Sequence, residues 1–159
     1  MSKQWRSLGM LVLFIALGLG AGQLGTFFTS AESFAWYSEL VKPSWTPPDF
    51  IFPLAWTFLY VLIGLAAWLV WYSKKPGYEK ALGLWVLQLI FNALWTPIFF
   101  GLQAISHSLI VIDLLWIFTL ITMIVFYRYS RFAAFLMFIY ALWLTYAGVL
   151  NFMLWRMNS

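Results

Sequence analysis

Three groups of side chains in this sequence have the types and spacing to do chemistry together. Trp56 and Tyr60 are four residues apart; Gln88, Asn92 and Trp95 follow at intervals of four and three; Trp143, Ala147 and Asn151 follow at intervals of four, with Tyr146 beside them. In a helix such spacings place each group on one face. Indole and phenol faces stack on a flat aromatic ring, at about 0.5–1.5 kcal/mol per pair beyond area burial, and a carboxamide both donates and accepts hydrogen bonds. The types and spacings point to a cavity lined by indoles, phenols and carboxamides. No hydrolytic constellation accompanies these residues. With no Cys and only His107, thiolate and multi-histidine metal centres are excluded. His107 as an axial haem ligand is conceivable, and a solvated loop histidine is the plainer reading. The plain reading of the stripes themselves is that amides and aromatics join helices to one another.

The elements that carry these residues are membrane spans. The 159-residue chain is 64% hydrophobic and 9% charged, with mean hydropathy +0.88, outside the range of soluble domains. Five apolar segments are each long enough to cross a bilayer as a helix: 8–27, 50–72, 81–101, 108–127 and 132–155. The fold expected is an all-α, single-domain bundle of five transmembrane helices. Residues 28–49 form the one long connection, stiffened by Pro43, Pro47 and Pro48 and carrying Glu32, Glu39 and Asp49. Leu8 to Gly20 after a basic start also fits a secretory signal peptide cut near Ala21, but apolar character continues to Phe28, favouring a retained helix.

Charge orients the bundle. Five spans put Lys3, Arg6, Lys74, Lys75, Lys80, Arg128 and Arg131 on one side and only Lys42 and Arg156 on the other, so the N-terminus is expected in the cytoplasm, and the long connection and C-terminus outside the cell membrane. The net charge of +4 is thereby explained by orientation, and no basic patch suggests nucleic acid. In this topology Gln23, Trp56, Tyr60, Asn92, Trp95, Asp113, Tyr146, Ala147 and Asn151 fall in the outer half, with Gln88 and Trp143 near mid-membrane. Polar groups in hydrocarbon normally face a bundle interior or cavity. An outer-facing cavity is expected, with the 28–49 connection as its lid. Trp5, Trp71, Tyr72 and Trp155 sit at span ends and read as an aromatic belt. Gly18-x3-Gly22 reads either as a dimer face or as close packing inside the bundle. Asp113 reads as a proton-coupling site or, more simply, as a buried or hydrogen-bonded acid.

The motifs Trp36-Tyr37-x2-Leu40-x-Lys42-Pro43-x-Trp45-x-Pro47-Pro48, Pro53-x2-Trp56-x2-Leu59-Tyr60, Gln88-x3-Asn92-x2-Trp95-x-Pro97-x-Phe99-Phe100 and Trp143-x2-Tyr146-Ala147-x2-Leu150-Asn151, in that order, resemble the translocator protein family, which includes the tryptophan-rich sensory proteins and the peripheral-type benzodiazepine receptor. The resemblance implies a five-helix bundle, usually a homodimer. It also implies binding of protoporphyrin IX, other tetrapyrroles and isoquinoline carboxamide or benzodiazepine-type ligands beneath the first connection, with no required cofactor. By position, the pocket would be lined by Tyr37, Trp45, Trp56, Asn92, Trp95, Trp143, Ala147 and Asn151. Tyr37 and Trp143 match positions linked to light- and oxygen-dependent porphyrin breakdown. The sterol motif of animal relatives needs a basic residue soon after Tyr146, and the next is Arg156; sterol binding is not supported. Three functions follow: a tetrapyrrole sensor or regulator, a transporter of porphyrins or other amphiphiles, and a photo-oxidative enzyme. The absence of an internal repeat weighs against transport by alternating access.

Overall fold

A computed structural model describes residues 3–159, with the side chain of Lys3 outside the described part. The described residues contain helices and no strand. The helices are α1 (Lys3–Thr26), α2 (Ala31–Glu39), α3 (Ile51–Ser73), α4 (Tyr78–Thr96), α5 (Ile105–Tyr127) and α6 (Arg131–Met157). All but α2 are long and apolar enough to span a membrane, α4 together with the π-helical turn Pro97–Gly101 that extends it. In hydrocarbon every backbone N–H and C=O must be paired within the segment, which a helix does. The chain is a multi-pass membrane protein.

The spanning helices pack in the ring order α1, α3, α6, α5, α4 and back to α1, with α3 also touching α4 across the middle. Small residues let backbones approach. A Cβ placed on Gly64 would lie 2.6 Å from Ile15 Cα, and one on Gly18 would lie 2.8 Å from the Tyr60 carbonyl oxygen. A Cβ on Gly22 would collide with the Tyr60 ring. The Gly18-x3-Gly22 pair is therefore spent inside the bundle, between α1 and α3. Wedges at the end away from the 28–49 connection join the second and fourth connections: Lys75 Nζ donates to the carbonyls of Arg128 at 3.1 Å and Tyr129 at 3.0 Å.

Four expectations are corrected. The 28–49 segment is not loop throughout, because α2 occupies its first half. Ser30 caps α2 with a capping box, its hydroxyl accepting from Ser33 N at 3.2 Å while Ser33 Oγ accepts from Ser30 N at 3.3 Å. Glu32 in the first turn complements the helix dipole. Trp71 is buried in the core at 9% exposure instead of joining a belt, with Lys74 Nζ 3.5 Å from its ring centroid. Asp113 is exposed on α5, not buried. His107 belongs to the first turn of α5, not to a connection, and is exposed.

Candidate ligand-binding site

Proline and aromatic residues shape the end of the bundle beneath α2. Pro97 has no N–H to continue the α-helical ladder, and the chain responds with a π turn in which Leu102 N donates to the Pro97 carbonyl at 2.9 Å. Trp95 and Phe99 stack there, centroids 4.9 Å apart at 16°. The lid helix rests on this platform: Trp36 meets Phe99 edge-on at 5.5 Å, and Tyr37 and Phe34 meet Phe100 at 5.6 and 5.8 Å. Leu150 and Leu154 of α6 complete the contact cluster. The rest of the lid is tied to α6. Asn158 Oδ1 accepts from Val41 N at 2.9 Å and its Nδ2 donates to Val41 O at 3.0 Å, while the Trp45 ring meets Tyr146 at 5.7 Å.

Between lid and bundle lies a cavity of about 650 Å³. Its roof is Phe34, Tyr37, Ser38, Lys42, Thr46 and Pro47; its walls are Asp49, Phe52, Pro53, Trp56, Trp95, Thr96, Phe99, Phe100, Ile112, Ala147, Leu150, Asn151 and Leu154. A smaller cavity of about 190 Å³ adjoins it through the shared residues Pro53, Trp56, Trp95, Thr96 and Ile112, and reaches Gly22, Gln23, Thr57, Tyr60 and Asn92. Burial, then the nearby Asp49 carboxylate and Tyr146 phenol, push the Tyr37 phenol up from 10.0 to about 12. At neutral pH Tyr37 is a neutral hydrogen-bond donor.

The sequence candidates separate into three sets. Tyr37, Trp56, Trp95, Ala147 and Asn151 line the larger cavity. Tyr60 and Asn92 line the smaller one. Trp45, Gln88, Trp143 and Tyr146 line neither. Trp143 stands behind Trp56, the two rings perpendicular at 6.3 Å, and Tyr146 packs on Trp143 at 5.5 Å. Gln88 is wholly buried, and both its amide atoms lack partners.

The carboxamides also act between helices. Tyr60 Oη donates to Asn92 Oδ1 at 2.7 Å, and Asn92 Nδ2 donates to Tyr140 Oη at 2.7 Å, joining α3, α4 and α6. Trp95 Nε1 donates to Asn151 Oδ1 at 2.9 Å, and Asn151 Nδ2 donates to the Ile105 carbonyl at 3.1 Å. The single Ser108 hydroxyl proton serves Ile105 O at 2.8 Å or Asn151 Oδ1 at 3.1 Å. Most of the amide capacity near the cavity is therefore already used, and indole faces dominate what remains. Phe34 and Lys42 on the roof and Phe52 and Thr96 on the walls are lining residues that sequence reasoning did not single out as site residues; Lys42 carried a signal as the one base of the long connection.

The sequence profile of the TspO/MBR family matches residues 11–156. The chain belongs to the TspO/MBR family. This family member is 40% identical over 152 residues to the tryptophan-rich protein TspO of Chlorobaculum tepidum, covering 93% of this chain and 95% of that one. It is 39% identical over 146 residues to the tryptophan-rich sensory protein of Cereibacter sphaeroides, covering 92% and 91%. It is 37% identical over 154 residues to protein CrtK of Rhodobacter capsulatus, covering 96% and 94%. The family match thus runs along nearly the whole chain rather than resting on a local motif.

Proposed function

We propose that this TspO/MBR protein binds porphyrins, protoporphyrin IX among them, in the larger cavity, and acts as a membrane sensor or regulator of their level. The observation that carries the reading is the cavity itself. About 650 Å³ lies within the roughly 300–1,000 Å³ of small-molecule sites, and its walls offer Trp56 and Trp95 to a flat ring. Isoquinoline carboxamide and benzodiazepine-type ligands, also flat and largely apolar, suit the same walls. The sensor role is favoured by the name of the Cereibacter sphaeroides relative, a tryptophan-rich sensory protein.

Binding is read by titrating protoporphyrin IX into detergent-solubilised protein in the dark and following tryptophan quenching. Saturable quenching is expected, with affinity lowered about tenfold in Trp56→Ala, as loss of one stacking face and its buried area implies. Absence of saturable quenching, or full affinity in Trp56→Ala, overturns the proposal. Repeating the titration under illumination with Tyr37→Phe and Trp143→Phe separates sensing from breakdown: pigment loss as fast as in wild type excludes a catalytic role for both residues.

A further inference from the structure

The walls of the larger cavity are chemically asymmetric. Deep in the bundle they are aromatic and aliphatic, and the Trp95 and Asn151 groups there are spent on each other and on Ile105. At the lid they are polar, and the roof carries Lys42, the only cation among the described residues that line the cavity. Lys42 is half-buried. Its Nζ lies 3.3 Å from the Ser38 carbonyl oxygen and 3.4 Å from that of Leu40, and 4.5 Å from the Tyr37 ring centroid. These contacts are two long hydrogen bonds to neutral carbonyls at the C-terminal end of α2 and one ring face. They leave a third N–H and the whole positive charge without an anion, although an ammonium taken partly out of water gains most from one.

Asp49 is a carboxylate on the wall of the same cavity. It is exposed, however, and an exposed carboxylate is screened by water and salt more than a half-buried ammonium is. The Tyr37 hydroxyl, neutral and donating at ordinary pH, stands on the same roof.

We propose that Lys42 makes this cavity selective for aromatic amphiphiles that carry a carboxylate on one edge, and that it orients them acid-edge to the lid and ring toward Trp56 and Trp95. This rests on the porphyrin reading above and deepens it. The polar edge is read by the lid, and the buried carboxamides Asn92 and Asn151 hold the helices.

Protoporphyrin IX and its dimethyl ester share one ring and differ in the two carboxylates, so they test the charge alone. Both are titrated by tryptophan quenching, in uncharged detergent and in the dark, against wild type, Lys42→Gln, Lys42→Arg and Asp49→Asn. Wild type is expected to bind the acid about tenfold more tightly than the ester, as one partly desolvated charge contact implies. Lys42→Gln should lose that preference by weakening the acid while leaving the ester within about twofold, because a neutral ligand does not feel the charge. Lys42→Arg should keep the preference, and Asp49→Asn should enlarge it. Equal affinities for acid and ester in wild type overturn the proposal while leaving the porphyrin site standing. So does a parallel loss of both ligands in Lys42→Gln, which would show that Lys42 only holds the end of α2. Failure of both ligands to bind wild type overturns the porphyrin reading itself, and this one with it.

Discussion

At the scale of residues, Gln88 shows how a side chain on the right stripe acquires a different role from its neighbours. It shares a helical face with Asn92 and Trp95, yet Asn92 finds two phenols, Trp95 finds Asn151, and Gln88 finds no partner. An unpartnered buried polar group costs about 1–3 kcal/mol. Gln88→Met, similar in shape and without polar atoms, is therefore expected to stabilise the protein by about 1 kcal/mol or more, read as a higher thermal midpoint in detergent, with porphyrin affinity unchanged because Gln88 lines neither cavity. A lower midpoint would mean that the amide is satisfied by a buried water and contributes to the fold. The same contrast separates the tryptophans. Trp56 and Trp95 face the cavity, whereas Trp143 stands one ring behind, and the intervals that placed all three on stripes do not distinguish a wall from its support.

At the scale of elements, the spans were legible to within a few residues because each is a long apolar run and lipid admits only helix there. Helix α2 was hidden by its short length and by the prolines that follow it, although Ser30, Glu32 and Ser33 form a local start signal and the helix stops at Glu39, ahead of Pro43. The π turn at Pro97 carries a sequence cue in the proline, but its register is set by the packing of Phe99 and Phe100 against α2. Helix contacts depend on glycines unevenly. Gly64 meets the backbone of Ile15, which cannot move aside, while an added Cβ at Gly83 meets nothing within 4 Å. Gly64→Ala should cost about 1–3 kcal/mol by overpacking, and Gly83→Ala should be neutral or gain up to about 1 kcal/mol of helix propensity. Thermal unfolding of both variants in the same detergent checks the pair, and equal midpoints would contradict the close α1–α3 approach.

At the scale of the whole molecule, the bundle has two chemically different ends. One carries the lid and both cavities; the other brings together Lys75 and the Arg128–Arg131 connection. Lys and Arg residues concentrate on the second end, so it is expected to face the cytoplasm. Alkaline phosphatase fused after Ser159 should then be active and the same enzyme inserted at 74–77 inactive; the opposite pattern would reverse the orientation. What the sequence determined by itself is the number of spans and the family, because hydrocarbon forces any 20-residue apolar run into a helix and the four motifs run along nearly the whole chain. Only the tertiary structure decided which way each helix is turned. These helices are apolar over most of their surface, since lipid and core are equally oily, and the few polar stripes mark an inner face without telling a cavity wall from its support. Rotation is set by contacts such as Gly64 on Ile15 and Tyr60 on Asn92, which put Trp56 and Trp95 on the cavity while Trp143 and Gln88 line neither one.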